Sequence, residues 1–379
     1  MVKLNTAENS LKKKLNVPFF FAKREHKVLK KELVKSISKS FLHGQTLQGP
    51  EVSILEDKMS KFIGKKYAIA VGSCTDALFF SLKALGIGKG DEVIVTSYSY
   101  LASATCILRC GAKPVFVDVD FNGNMNLKKI KTKVGKKTKA IIYVHLYGYF
   151  QNIDTLKKII KNKKIFLIED FAQSFGASRK KKKAGSIGKI SCTSFDPTKV
   201  ISAPGSGGMA FTDDKELRDK VIKLRYHGKS NDGDHDYLGM NSQLPSMVAA
   251  SLLVKMKKVK ENQIKRISIA KKYINGLRGL DIELPPLHTN GQHIYHKFVI
   301  RAKRRDELSN YLKKNGVECL IHYTKSLPEL TIFKKYKTKL SVASNLKKYS
   351  LSLPIHPYLK NREIQHVLNT IKSFYKENE

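Results

Sequence analysis

Short β-branched runs alternate with helix-like stretches between residues 67 and 170, and this alternation restricts the possible folds more than any other feature of the chain. The β-branched runs predict strands at 67–71, 92–96, 114–118, 140–145 and 165–168. The stretches between them predict helices at 76–85, 100–110, 127–134 and 153–161. Strands that alternate with helices form a mostly parallel sheet covered on both faces, so we expect an α/β fold.

The pattern changes after Asp170. Two short strands are predicted at 191–195 and 208–212, joined by a glycine-rich segment, and a long lysine-rich amphipathic helix is predicted at 247–277. The remaining elements are a strand at 295–301, a helix at 306–315, a strand at 318–323 and a helix from Arg362. We expect a large domain over 41–240, a smaller α+β domain over 241–379, and an N-terminal segment, 1–40, that packs on the small domain or on a partner chain.

The charge of the chain is strongly positive. Of 379 residues, 71 are Lys or Arg and 32 are Asp or Glu, which leaves a formal net charge of +39. Such a surface attracts nucleic acids, anionic membranes and phosphorylated substrates. The lysines are nevertheless spread along the chain, without a basic arm or an aromatic-rich RNA-binding motif. They are interpreted either as ordinary solvated surface residues or as a source of positive potential that attracts anionic substrates. Nucleic acid is not an expected partner.

The composition also bears on location. No apolar run approaches the 18 or so residues of a transmembrane helix, and the N-terminus lacks the apolar core of a signal peptide. The five cysteines are scattered and odd in number, which argues against a disulfide framework and predicts a reducing cytosol. No second cysteine pair completes a zinc site with Cys106 and Cys110, so no metal is expected.

Three local features can carry chemistry. At Gly72-Ser73-Cys74-Thr75-Asp76 a strand ends and a helix opens, with Ser73 and Asp76 in the spacing of a capping box. The free N–H groups of such a helix start can hold a phosphate, although most of these sequences are only caps. The apolar run 165–168 ends in Glu169 and Asp170, and strand ends in α/β sheets are where ligands bind.

The third feature is Lys199, which follows a short strand and precedes the uncharged Val200-Ile201-Ser202-Ala203-Pro204. Apolar surroundings lower the pKa of a lysine and make its amine a nucleophile that forms a Schiff base. A phosphate cradle, an acid at a strand end and an isolated lysine are together the parts that hold pyridoxal phosphate.

These residues belong to a series of landmarks over 44–375 that resembles the DegT/DnrJ/EryC1/StrS family of sugar aminotransferases, pyridoxal-phosphate enzymes of fold type I. The landmarks keep the family's order and lie at 49–52, 73–78, 90–94, 111–118, 144–148, 169–173, 194–199, 207–208, 224–228, 238–242, 321–323 and 353–357. The resemblance implies an aspartate-aminotransferase-like large domain with a mostly parallel seven-stranded sheet, and a smaller α+β C-terminal domain.

The resemblance also implies roles for single residues. Lys199 matches the Schiff-base lysine that moves the proton, Asp170 the acid at the pyridinium nitrogen, and Gln173 the residue at the phenolic oxygen. Tyr100 matches the ring on the pyridine face, with Tyr98 as a competitor. The remaining matches are to phosphate ligands: Cys74, Thr75, Ser194 and, from the neighbouring subunit of a homodimer, Asn241.

The implied reaction moves an amino group from L-glutamate to a keto sugar on a nucleoside diphosphate, for amino sugars of a surface polysaccharide, with the cofactor passing through its pyridoxamine form. The family's usual glycine is Cys74 here and its usual arginine is Gln243, which puts substrate choice in doubt. Three alternatives stay open: a sugar dehydratase, a cyclitol aminotransferase and a nucleic-acid-binding regulator. Lys199 argues against the dehydratase branch, in which histidine replaces it.

Overall fold

The computed structural model describes residues 15–161, 163–288, 290–336 and 338–377. Its α-helices are α1 (Ala22–Phe41), α2 (Pro50–Ile63), α3 (Cys74–Ala84), α4 (Ala102–Arg109), α5 (Leu127–Ile130), α6 (Asp154–Ile160), α7 (Lys215–Leu224), α8 (Ser246–Met256), α9 (Val259–Leu277), α10 (Arg305–Lys314), α11 (Val342–Tyr349) and α12 (Asn361–Lys376). Its strands are β1 (Tyr67–Val71), β2 (Glu92–Thr96), β3 (Lys113–Val117), β4 (Thr138–Val144), β5 (Phe166–Asp170), β6 (Ser178–Arg179), β7 (Lys182–Lys183), β8 (Ile190–Ser194), β9 (Gly208–Thr212), β10 (Ile282–Glu283), β11 (Phe298–Ala302) and β12 (Ser350–Leu353).

A seven-stranded sheet forms the centre of the molecule, in the order β1-β9-β8-β5-β4-β2-β3. Its neighbouring strands are parallel except at β9, which is antiparallel to both β1 and β8. The expected mostly parallel sheet is confirmed. Its strands are rich in Val, Ile and Ala because helices cover both faces, and β8 and β9 are buried along their whole length.

A second, antiparallel sheet in the order β10-β11-β12 builds the C-terminal part of the chain. Helices α9, α10 and α12 cover it, and Tyr273, Phe298, Leu312 and Ile371 meet in one apolar cluster. This is the α+β unit that the sequence predicts.

The prediction of a single helix over 247–277 is wrong. Two residues, Lys257 and Lys258, separate α8 from α9. The physical reason is that the two helices belong to different cores. Helix α8 buries Val248 and Leu252 beside the large sheet, whereas α9 joins the apolar cluster of the small sheet. We therefore propose that the domain boundary lies at this junction rather than at residue 240.

The prediction of a strand over 318–323 is also wrong. Within it, Leu320 makes an isolated bridge to Ser352, and the regular third strand of the small sheet is β12, which the pattern does not predict. The chain leaves the sheet after Leu320 because other groups hold its backbone. Tyr147 donates to the carbonyl of His322 over 2.5 Å, and Tyr98 donates to the carbonyl of Tyr323 over 3.0 Å.

The first described residues pack on both parts of the chain. Val17 forms a parallel bridge with Val317 beside the small sheet. Helix α1 then crosses α8, where the buried Glu25 and Lys255 form an ion pair of 2.6 Å. Among the described residues, no helix is long and apolar enough to cross a membrane.

Candidate active site

A cavity of about 490 Å³ opens at the carboxyl edge of the large sheet. The segments that follow β1, β2, β5 and β8 all reach it, because strands that run in one direction end at one edge. The cavity brings together most of the predicted site residues: Cys74, Thr75, Tyr100, Asp170, Gln173, Ser194 and Lys199. Asn241 does not line it; that side chain is exposed and its backbone pairs with Tyr226.

The start of α3 forms one end of the cavity. Ser73 caps the helix by accepting a hydrogen bond from the N–H of Asp76 over 3.1 Å, so the predicted cap is present. Asp76 does not complete a capping box, because its carboxylate instead receives the hydroxyls of Ser73 and Ser242. In the described part of the chain, the N–H groups of Cys74 and Thr75 have no acceptor.

The helix start sits unusually close to β9. A Cβ at Gly208 would lie 2.3 Å from the backbone of Ser73 and Cys74, so a glycine is required at this approach. Ser194, at the end of β8, lines the same end of the cavity, and its hydroxyl accepts from the N–H of Asp196. The hydroxyl hydrogen of Ser194 is left to donate to a ligand.

Asp170 ends β5 and is buried. Its carboxylate accepts from Ser103 Oγ over 2.9 Å and from the N–H of Ala172 over 3.1 Å. Burial raises the pKa of Asp170, and these two hydrogen bonds together with the charge of Lys199 offset part of that effect. A cationic N–H donor placed against the carboxylate would stabilise its ionised form.

Lys199 lies in the turn after β8. Its backbone N–H donates to the carbonyl of Asp196, and the buried Val200 and Ile201 anchor the residues that follow. The ammonium faces the cavity, and it makes no hydrogen bond or salt bridge to any residue that the structure describes. It is therefore available to a ligand.

Two tyrosines follow β2 and take different places. Tyr100 is 54 % exposed and lines the cavity, whereas Tyr98 is fully buried and bonds to the backbone of Tyr323. Gln173 also lines the cavity, where it accepts from the N–H of Tyr147 and donates to the hydroxyl of Tyr323. The arrangement favours Tyr100 over Tyr98 as the ring that a ligand meets.

A second wall of the cavity comes from the N-terminal segment and the small sheet. We call it the small-domain wall; it consists of Phe20, His296, Lys297, His322 and Tyr323. Burial lowers the pKa of His322 to about 3 and holds the pKa of His296 well below its usual value, and the charges of Lys297 and Lys199 contribute to both shifts. Both imidazoles are therefore neutral, and Lys297 is the cation of this wall.

Sequence reasoning missed Ser103, His296 and Lys297. Ser103 lies in the first turn of α4, and only the fold places it beside Asp170. Lys297 does carry a signal, since it stands between Tyr295 and Phe298 in an apolar, strand-like run. A lysine at such a position is unusual for a solvated surface.

The residues present suit pyridoxal phosphate. Unused donors at the start of α3 and on Ser194 match a phosphate, and the buried carboxylate of Asp170 matches a protonated ring nitrogen. The unpaired amine of Lys199 matches the aldehyde carbon. These groups share one cavity, which is large enough for a cofactor and part of a substrate.

Known proteins resemble this chain over almost its whole length. The model of the DegT/DnrJ/EryC1/StrS aminotransferase family matches residues 27–372. The UDP-2-acetamido-2-deoxy-3-oxo-D-glucuronate aminotransferase of Pseudomonas aeruginosa is 35 % identical over 92 % of this chain and 98 % of its own. A protein of Geobacillus stearothermophilus named as a pleiotropic regulatory protein is 36 % identical over 96 % of this chain and 99 % of its own.

Among solved structures, NtdA of Bacillus subtilis with bound cofactor PMP superimposes with a TM-score of 0.89 at 28 % identity, covering 95 % of this chain and 85 % of that one. The family match spans far more than half of the present chain, and the cofactor found in that relative is the one that the cavity suits. The chain therefore belongs to the DegT/DnrJ/EryC1/StrS aminotransferase family, which depends on pyridoxal phosphate.

Proposed function

We propose that this protein transfers an amino group from an amino acid, with L-glutamate as donor, to a keto sugar carried on a nucleoside diphosphate. The product would be an amino sugar for a surface polysaccharide. The observation that carries the proposal is the placement of the unpaired Lys199 ammonium and the buried Asp170 carboxylate in one cavity with the free donors of α3. The Pseudomonas relative, named as an aminotransferase of a UDP-linked keto sugar acid, supports the substrate class.

The cofactor supplies an electron sink that stabilises a carbanion beside the transferred nitrogen. The chain's residues do the remaining work. The N–H groups of Cys74 and Thr75 and the hydroxyls of Thr75 and Ser194 would bind the phosphate. Asp170 would accept the ring N–H and hold its proton in place.

Lys199 would carry the proton between the reacting carbon and the cofactor, because its amine faces the cavity and is not paired with any described residue. Gln173 would donate to the phenolic oxygen, which requires it to exchange its bond to Tyr323, and Tyr100 would cover one face of the ring. The small-domain wall, with Phe20 and the buried Lys297, would exclude water from the side on which the substrate enters.

We also propose a homodimer whose active sites are shared. Asn241 is exposed and outside the cavity of its own chain, as expected for a residue that serves a neighbouring site. Large apolar side chains are exposed on α1, directly after it and on the loop before Asn241, among them Val28 at 66 %, Leu42 at 86 % and Leu238 at 87 %. A second copy would cover them.

We place the enzyme in the cytosol. All five cysteines are buried free thiols, and burial raises the pKa of Cys74, Cys106 and Cys192. Such thiols are stable in a reducing compartment. Fractionation of the source cells with an antibody against this chain would test the location.

A regulator that binds nucleic acid is the second candidate. The +39 charge favours binding to nucleic acid, and the Geobacillus relative is named as a regulatory protein. It predicts DNA binding that weakens steeply with salt and an absence of amino transfer.

The experiment that tests the first proposal is a visible absorption spectrum of the protein with pyridoxal phosphate, before and after excess L-glutamate, beside Lys199→Ala. We expect a band of lysine-bound cofactor that glutamate bleaches and that the variant lacks. A wild-type protein without the band would overturn the proposal. A band that glutamate leaves unchanged would contradict the donor.

A further inference from the structure

We propose that Lys297 is a specificity-determining residue of this cavity, and that it binds a carboxylate of the substrate, either on the sugar or on the amino donor. This inference rests on the proposed function and deepens it by naming a charged group that the substrate carries. It starts from Lys297 as a buried cation that lines the cavity and that the cofactor does not require.

The position of Lys297 is well defined. Its backbone N–H donates to the carbonyl of Tyr147 over 3.2 Å, directly before β11. The residue is 8 % exposed, and its ammonium lies 4.8 Å from the ring centre of Phe19 and 5.9 Å from that of Phe20. The two rings shield the cation from water on one side while the other side faces the cavity.

This ammonium is not neutralised within the described ranges. Among the described residues, no hydrogen-bond acceptor contacts the Lys297 ammonium and no carboxylate lies within 4.0 Å of it. A buried lysine ammonium is normally paired with such a group. The charges of Lys199 and Arg266 repel the Lys297 cation, and the charge of Asp196 attracts it less strongly. The pKa of Lys297 is lowered to about 7, chiefly by burial.

An unpaired buried cation destabilises a protein, so its presence at a cavity points to a ligand that compensates it. The cofactor's phosphate is accounted for by the start of α3 and by Ser194. His296 and His322, which flank Lys297 on the small-domain wall, are neutral and able to accept or donate one further hydrogen bond. The wall as a whole is therefore suited to an anion that carries additional oxygen atoms.

The anion is a carboxylate rather than the diphosphate of the nucleotide. Lys297 lines the same cavity as Lys199, and the charge of Lys199 acts on it, so an anion bound by Lys297 would share the cavity with the amine that meets the reacting carbon. The diphosphate is attached at the anomeric end of the sugar and has to extend toward solvent with its nucleoside. A carboxylate on the sugar ring or on the donor side chain reaches Lys297 without moving the diphosphate inward.

The test is calorimetric binding of unreactive probes to the holoprotein. UDP-glucuronate and UDP-glucose differ by a carboxylate in place of a hydroxymethyl group, and glutarate represents the donor without its amine. The variants are Lys297→Met and Lys297→Gln, which remove the charge, and Lys297→Arg, which keeps it. Lys136→Met, at an exposed lysine, is the matched control.

We expect both neutral variants to lose about tenfold or more in affinity for a carboxylate probe, with UDP-glucose changed by less than about threefold. Lys297→Arg should recover most of the loss, and Lys136→Met should behave as wild type. Loss confined to UDP-glucuronate assigns the carboxylate to the sugar, loss confined to glutarate assigns it to the donor, and loss of both supports a shared site.

The inference is overturned if the neutral variants bind both carboxylate probes as wild type does, or if they lose UDP-glucose and UDP-glucuronate equally. Its failure is distinct from failure of the proposed function. The absorption band of lysine-bound cofactor and its bleaching by glutamate report on Lys199, whereas calorimetry with the unreactive carboxylate probes reports on Lys297 and requires no amino transfer.

Discussion

Ser103 donates a hydrogen bond to Asp170 across 2.9 Å and thereby stabilises the ionised form of a carboxylate that burial makes hard to ionise. The two residues come from different strand–helix units, α4 and β5. The acid at the sheet edge is therefore held by the neighbouring unit as well as by its own backbone.

Ser103→Ala should raise the pKa of Asp170 further, because only the N–H of Ala172 would still donate to the carboxylate. The affinity for pyridoxal phosphate should fall by about tenfold, the value of one hydrogen bond to a charged group. Titration of the apoprotein with pyridoxal phosphate, followed by absorbance, measures this affinity. Ser81→Ala is the control, since Ser81 is equally buried but bonds to Ala77 and Cys192; an equal loss in both variants would contradict the assignment.

Lys297→Met should stabilise the ligand-free protein by about 1–3 kcal/mol near pH 6, because it removes an unpaired buried charge while keeping the side-chain volume. The folded-state pKa of about 7 lies below the ordinary 10.5, so the destabilisation is complete below pH 7 and disappears as the pH rises toward 10.5. The gain should therefore shrink at pH 9. Urea unfolding of the variant and of Lys136→Met measures it, and a destabilised variant would refute the expectation.

Binding of the carboxylate probes should weaken as the pH rises through about 7. Lys297 loses its proton there, while the probe stays ionised. His296 and His322 do not titrate in this window because their pKa values lie below it. Calorimetry between about pH 6 and about pH 9 should show this slope for wild type and a flatter one for Lys297→Arg. A flat profile in wild type would argue against Lys297 as the receptor.

Tyr98→Phe should lower the free energy of unfolding by about 1–3 kcal/mol, because it leaves the N–H of Tyr323 without the acceptor that now lies 2.6 Å away. Tyr100→Ala should weaken cofactor binding and leave stability within about 0.5 kcal/mol, since Tyr100 is exposed. Denaturant unfolding and cofactor titration separate the two effects. If Tyr98→Phe instead weakened cofactor binding and Tyr100→Ala did not, Tyr98 would be the ring that contacts the cofactor.

Mixed dimers of Lys199→Ala and Asn241→Ala should recover about a quarter of wild-type activity after co-refolding of equal amounts, because one site in each mixed dimer is intact. The control pairs Lys199→Ala with Ser194→Ala, both of which affect the site of their own chain, and should gain nothing. Conversion of glutamate to its keto acid gives the readout. Absence of recovery in the first mixture would place Asn241 outside the neighbouring site.

Much of the site was predictable because parallel strands end at one edge. Asp170 and Lys199 follow the strands predicted at 165–168 and 191–195, and Ser194 lies in the second of these, so the fold brings all three to one cavity. Asn241 has no such constraint, and the role that we propose for it depends on a second chain. The break at Lys257 escaped prediction because both halves of 247–277 have helical periodicity, and only their separate cores require the bend.

By itself, the sequence determined the large sheet, its helices and the ends of the strands where a site forms, because hydrophobic periodicity and glycine-rich turns act over short distances. The tertiary structure alone decided that Ser103 supports Asp170, that Tyr98 turns inward while Tyr100 faces the cavity, and that Lys297 is buried with no counter-ion among the described residues. These relationships join residues far apart in the chain. The first joins two units of the large sheet, and the other two depend on how the large and small cores meet, which no local pattern encodes.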